Sequence, residues 1–265
     1  MTFPPLGYPL AAAVSPRLHL IDSVESTNAK LLRDVQDDPA GHPHLAALVT
    51  TDQTAGRGRL DRTWVTPPGS ALAVSVVLLV EAVADADRGW IPLVAGAAMA
   101  KAVGAQLDDV SLKWPNDVLV GGGPTATNPA AKKICGILAE VVPGHPHAVV
   151  VGAGVNTAMT ADQLPVATAT SFAVLGREAD ADRLLADYLT ALRDLVAELA
   201  VGGGEAVRGD VEAVCGTIGS AVTVSLPDGT TRAGTAVRLD PAGRLVIARE
   251  GVESVVSAGD IVHAR

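Results

Sequence analysis

Three arginines, two glycines and a tryptophan fall within the nine residues Gly56-Arg57-Gly58-Arg59-Leu60-Asp61-Arg62-Thr63-Trp64. Arginine stays ionised and grips a phosphate or carboxylate through parallel N–H bonds, so the cluster suits a small anionic group. Glycine lets backbone N–H groups come close to ligand oxygens, and the indole adds a planar apolar face. The alternative is a solvated turn with no ligand. Neither G-x-G-x-x-G nor G-x-x-x-x-G-K-[ST] is satisfied, so the stretch is not a Rossmann or Walker phosphate loop.

Two further polar stretches carry chemistry. In Lys113-Trp114-Pro115-Asn116-Asp117, Lys113 either pairs with phosphates or lifts its ammonium out of the core. Asn116 offers a donor and an acceptor, and Asp117 can hold Mg2+ through water, although both residues also stabilise turns. In Lys132-Lys133, the first lysine reads as an exposed charge. Lys133 opens the apolar run Ile134-Cys135-Gly136-Ile137-Leu138 and is the better ligand. Ser26-Thr27-Asn28 either caps a helix or faces a ligand.

The periodicity predicts the elements that must position these groups. Residues 1–17 read as an irregular lead-in, too short for a helix-turn-helix domain. Strands are predicted over 18–21, 45–51, 70–80, 110–113, 118–120, 133–142 and 148–152, and helices from 26–27 through 35 and over 91–106. Residues 121–131 read as a flexible hairpin insertion, 168–176 as a short helix and turn, and 178–199 as a long amphipathic helix. The glycines at 202–204 mark a junction. From 217 onward short strands alternate with turns, which predicts a small, strongly curved β-barrel.

Composition narrows the function classes. With 265 residues and 48% hydrophobic content, the chain can build a large catalytic core and one small appended module. A net charge of -9 argues against a nucleic-acid-binding surface, leaving the arginine stretch as a basic island for a small ligand. Cys135 and Cys215 match no disulfide framework or metal motif and read as reduced core residues. The apolar run over 71–80 is too short to span a bilayer. The N-terminus lacks a signal-peptide pattern, so the expected location is cytoplasmic.

Taken together, Ser26-Thr27-Asn28, Gln53-Thr54-Ala55-Gly56-Arg57-Gly58-Arg59, Lys113-Trp114-Pro115-Asn116-Asp117, Lys133-Ile134-Cys135-Gly136-Ile137-Leu138-Ala139-Glu140 and Gly152-Ala153-Gly154-Val155-Asn156 resemble the biotin protein ligase family. Ala258-Gly259-Asp260-Ile261-Val262 adds a weaker match. The resemblance implies an α+β fold: a mixed β-sheet packed with helices, like the class II aminoacyl-tRNA synthetase catalytic domain, over residues 1–214. An SH3-like β-barrel is implied over 215–265. The implied reaction joins biotin and ATP as biotinyl-5'-adenylate, with Mg2+, and then transfers biotin to a lysine of a biotin carboxyl carrier domain in acetyl-CoA or acyl-CoA carboxylase.

Residue by residue, the resemblance implies that Ser26, Thr27, Asn28 and Gln53 bind biotin, aided by backbone at Gly56 and Arg57. It implies that Arg57, Arg59 and Arg62 order over the adenylate, and that Lys133 contacts the biotin carboxylate and α-phosphate. Lys113, Asn116 and Asp117 would serve phosphates and metal, with Trp64 and Asn156 near adenine. Lys133, Arg57, Arg59 and Lys113 are the expected catalytic groups. Asp61 departs from a position where the family commonly has glycine. No DNA-binding extension is read ahead of the core, so the expectation is a monofunctional enzyme, as a monomer or weak homodimer. The alternatives are a lipoate or octanoyl ligase or transferase and a noncatalytic biotin- or carrier-binding protein.

Overall fold

In a computed structural model, which describes residues 7–60, 62–121, 131–226, 230–257 and 260–263, the chain builds two main sheets. Asp61, most of the 121–131 insertion, the turn at 227–229 and Ala258-Gly259 lie outside the described residues. The order begins with α1 (Pro9–Ala12), β1 (Leu18–Leu20), α2 (Thr27–Asp37) and β2 (Ala47–Thr50). A small hairpin of β3 (Gly56–Arg57) and β4 (Thr63–Trp64) precedes β5 (Ala71–Leu79) and α3 (Ile91–Gly104). Next come β6 (Val110–Lys113), β7 (Asp117–Val120), β8 (Lys132–Val142), β9 (His145–Asn156) and α4 (Ala181–Val214). The short strands β10 (Ala221–Ser225), β11 (Thr231–Leu239), β12 (Leu245–Arg249), β13 (Val252–Val256) and β14 (Asp260–His263) follow.

The larger sheet has seven strands in the order β1-β2-β5-β9-β8-β7-β6, parallel between β1 and β2 and antiparallel elsewhere. The inner strands β2 and β5 read as nearly continuous apolar runs because both of their faces are covered. On β5, Leu72, Val74, Val76 and Leu78 join the core beneath α3 and α4, whereas Val77 packs with Leu31 and Val35 of α2. Burying each of those α2 side chains contributes about 1.5–3 kcal/mol. Both cysteines are buried and free, and among the described residues no helix is long and apolar enough to cross a membrane.

Several expectations change. The C-terminal strands do not close into a barrel: they form an open five-stranded sheet, β13-β12-β11-β10-β14, whose outer strands share no pairing among the described residues. Closure is unnecessary for burial, because Val222, Val224, Ala236, Leu245 and Ile247 join the same apolar cluster as Trp90 and Trp114. The lead-in contains α1, whose Leu10 and Ala11 N–H groups each donate to the Asp182 carboxylate at 3.0 Å. The 202–204 glycines lie inside α4 and break it at Gly203 (φ 64°, ψ -163°). A Cβ at Gly204 would stand 2.1 Å from Trp90 Nε1, so the kink lets the helix pass over that indole. No helix forms over 168–176. Thr170 N donates to Lys133 O and Phe172 N to Asn156 O, which ties the first part to strand ends, and the expected turn forms after it, with Leu175 N donating to Phe172 O and Gly176 N to Ala173 O.

Candidate functional site

The site opens where α2 begins, above the sheet. On that face β9 offers Ala148 and Val150 to the helix and then, two and four residues on, Gly152 and Gly154. A Cβ at Gly152 would stand 2.3 Å from Asn28 Oδ1, and one at Gly154 2.6 Å from Trp64 Cε2. Bare backbone therefore lets both the first turn of α2 and the Trp64 indole lie directly on the strand. Ser26, Thr27, Asn28, Gln53, Arg57, Arg59, Arg62, Trp64, Asn116, Asp117 and Lys133 line a shared pocket between them.

One end of the pocket is polar and uncharged. Ser26 is the N-cap of α2, its Oγ accepting from Ala29 N at 3.4 Å. Gln53 Oε1 accepts from Thr27 N at 2.7 Å and from Thr27 Oγ1 at 3.0 Å, tying the loop after β2 to the helix start. Asn28 is differently occupied. Its Nδ2 donates to Leu138 O and to Glu140 Oε2, and its Oδ1 lies 2.5 Å from Ser75 Oγ, so its amide joins α2 to the sheet.

The other end is cationic, within a chain whose net charge is -9. Lys133 Nζ stands 2.7 Å from Asp117 Oδ1 and 5.6 Å from the centre of the Trp64 ring. Arg59 Nη1 donates to Asn116 Oδ1 at 2.9 Å, and Asn116 Nδ2 donates to Ile137 O at 2.8 Å. Burial pushes the Arg59 and Lys113 pKa values down, with Asp117 opposing and Arg62 adding to the shift in both. An anion arriving here meets positive charge whose own hydration is already reduced. Trp64 Nε1 is buried and has no acceptor among the described residues. A donor so placed costs about 1–3 kcal/mol, which a bound acceptor would relieve.

Not every expected residue reaches the pocket. Asn156 is buried behind it, donating Nδ2 to Thr170 O at 2.9 Å. Lys113 does not line it but lies within electrostatic reach of Asp117, Lys133 and Arg62. Gly56 pairs with Trp64 across the β3–β4 hairpin and supports the loop from outside the pocket. Arg57 turns its guanidinium to Glu140, with Nη2 2.9 and 2.8 Å from the two carboxylate oxygens. Lys132 is exposed, as its position predicts.

Glu140, Ser75 and the glycine floor are the participants that sequence reasoning left unassigned. A lone hydroxyl in the apolar run of β5 and glycines spaced two apart on one strand were the available signals.

Comparisons with known proteins bear on this geometry. Residues 20–156 match the Biotin/lipoate A/B protein ligase family, and residues 217–264 match the Biotin protein ligase C terminal domain. The biotin--[acetyl-CoA-carboxylase] ligase of Mycobacterium tuberculosis is 35% identical over 257 residues, covering 94% of this chain and 90% of that protein. Biotin protein ligase from Aquifex aeolicus, solved in complex with biotin and ATP, has the same fold: TM-score 0.76, 24% identity, covering 94% of this chain and 99% of that one. The Leishmania major biotin protein ligase in complex with biotinyl-5-AMP gives a TM-score of 0.61 at 25% identity, covering 92% and 99%.

Proposed function

The chain belongs to the biotin protein ligase branch of the biotin/lipoate A/B protein ligase family, and from that premise we propose that it is an ATP-dependent biotin protein ligase. The observation that carries the reading is one pocket with a neutral hydrogen-bonding end at Thr27 and Gln53 and a cationic end at Arg59, Arg62 and Lys133. A molecule that joins an uncharged ring to an acyl phosphate has that polarity. The match over 217–264 to a C-terminal domain of biotin protein ligases favours biotin over lipoate.

In the first step a biotin carboxylate oxygen bonds to the α-phosphorus of ATP, and the bond to the bridging oxygen breaks to release pyrophosphate. Lys133 and the arginines offset the repulsion between carboxylate and phosphates and hold the charge that develops at the α-phosphate. Ser26, Thr27 and Gln53 orient the biotin head, and Trp64, expected beside the adenine, roofs the pocket next to Lys133 with its indole N–H free to donate. Lys113 lowers the energy of the phosphates from behind Asp117. Asn156 acts at one remove, holding the 168–172 segment against the Lys133 backbone. In the second step the neutral amine of the acceptor lysine attacks the acyl carbon, AMP leaves with the C–O electron pair, and the nitrogen loses a proton.

Magnesium belongs to the same proposal. Asp117 is a single carboxylate, and among the described residues no group of three His, Cys, Asp or Glu side chains could hold a metal. That suits an ion carried in on the nucleotide phosphates, where it would neutralise charge, rather than a resident protein cage. The acceptor is a biotin carboxyl carrier domain of an acetyl-CoA or acyl-CoA carboxylase, met in the cytoplasm by a monomer or weak homodimer. The division into a catalytic part, 1–214, and a C-terminal part, 215–265, completes the reading.

Incubation with labelled ATP, with biotin or lipoate, and with or without a carrier domain tests it. Biotin-dependent pyrophosphate release followed by labelling of one carrier lysine is expected. Saturable biotin binding with no adenylate would instead identify a binding protein. Within the same reaction, Arg59→Ala should release the adenylate about tenfold faster, corresponding to about 1.4 kcal/mol, because the Asn116-anchored guanidinium would no longer lie over it. A stopped-flow chase reads the rate, and an unchanged value in folded protein contradicts the role.

A further inference from the structure

The turn that carries Asn116 and Asp117 is held from a side the pocket does not reach. Trp114 donates its backbone N–H to Thr217 Oγ1 at 3.0 Å and its indole N–H to Gly243 O at 3.2 Å. Both acceptors come from the C-terminal stretch, Thr217 ahead of β10 and Gly243 in the turn between β11 and β12. Trp114 is 2% exposed and Thr217 0%, so water cannot substitute for a lost partner.

The acceptor turn is itself fixed. Gly243 N donates to Asp240 O at 2.9 Å, and Trp90 Nε1 donates to Pro241 O at 2.8 Å. Asp240 Oδ1 also accepts from the N–H groups of Ala242 and Arg244, at 2.9 Å each. Two residues beyond Trp114, the Asn116 amide clamps β8 with one end and Arg59 with the other. Arg59, Asn116 and Leu138, which also line the pocket, share a second cavity with Ala242, Gly243 and Arg244.

We propose that Trp114 and Thr217 are positioning residues. Through the Asn116 amide they set where Arg59 stands over the pocket, so the C-terminal sheet acts on nucleotide binding by way of the arginine hairpin. The kinetic consequence rests on the adenylation reading, whereas the placement of the hairpin does not.

Thr217→Val removes the Oγ1 acceptor at nearly constant volume, Trp114→Phe removes the indole donor, and Thr217→Ser restores the hydroxyl. Each full-length variant is digested briefly with trypsin, and cleavage after Arg57, Arg59 and Arg62 is compared by mass spectrometry with cleavage elsewhere. Hairpin cleavage is expected to rise at least about fivefold in Thr217→Val and Trp114→Phe, with other sites within about twofold and Thr217→Ser close to wild type. KM for ATP should rise about tenfold while KM for biotin moves less than about twofold.

Unchanged hairpin cleavage in a folded variant, or an equal rise at every site, overturns the proposal. So does a loss of kcat with both KM values unchanged. If one substitution prevents folding, the other decides by the same criteria. Wild-type protein that makes no adenylate would sink the ligase reading, and the cleavage pattern would still judge the positioning role.

Discussion

Lys133→Ala is expected to slow formation of the adenylate about a hundredfold, which corresponds to about 2.7 kcal/mol of lost transition-state stabilisation. Two losses combine in that figure. The ammonium sits where the pocket turns from neutral to cationic, beside the Trp64 ring and against Asp117. Removing it deletes a charge that would face the reacting phosphate and takes from the Asp117 carboxylate its direct ion-pair partner, so an incoming nucleotide also meets more repulsion. Single-turnover pyrophosphate release at saturating biotin and ATP isolates this step from product dissociation. A rate within about threefold of wild type would remove Lys133 from the chemistry. Combining Lys133→Ala with Asp117→Asn should recover part of the loss, because the second change removes the repulsion created by the first.

The types of residue that could do chemistry were readable in order along the chain, and so was much of their placement. Lys133 at the head of an apolar strand, Asn116 and Asp117 in a turn between two strands and the arginines in a loop all follow from periodicity and turn chemistry. Their partners were not readable. Arg57 meets Glu140 from 83 residues away and Asn28 meets the same carboxylate from 112 away, and no local pattern encodes such a pairing. Asn28 read as a ligand for biotin, and it does line the pocket, but the fastening of α2 to β8 by its amide was not legible.

The barrel failed for a related reason. Short strands at regular spacing occur in closed barrels and in open curved sheets alike, and the difference lies in whether the first and last strands of the sheet meet. Here β13 and β14 end on opposite edges, and the apolar face is covered by sharing a core with the larger part of the chain. The glycine run at 202–204 posed the same difficulty. Composition cannot separate a linker from a kink, and only the Trp90 indole beneath Gly204 shows why the bend is there.

Gly154→Ala is expected to weaken biotin binding at least about a hundredfold, or about 2.7 kcal/mol, while leaving the fold nearly as stable as before. The new Cβ would stand 2.6 Å from Trp64 Cε2, 2.8 Å from Nε1 and 2.9 Å from Cζ2, closer than carbon atoms pack. The ring cannot simply rotate aside, because Trp64 pairs with Gly56 in the hairpin and its other edge lies over Gly136. Relief must come from lifting β4, which withdraws the indole from Lys133 and opens the lid of the pocket. The strand itself has no cause to suffer, since alanine has less conformational freedom to lose than glycine and its methyl points into the site rather than the core. Calorimetric titration with biotin and thermal unfolding separate the two effects, and an unchanged affinity would show that the indole does not wall the ligand. Shrinking the ring in the double variant Gly154→Ala with Trp64→Leu removes the collision, so the pair should lose less affinity than the sum of the single changes.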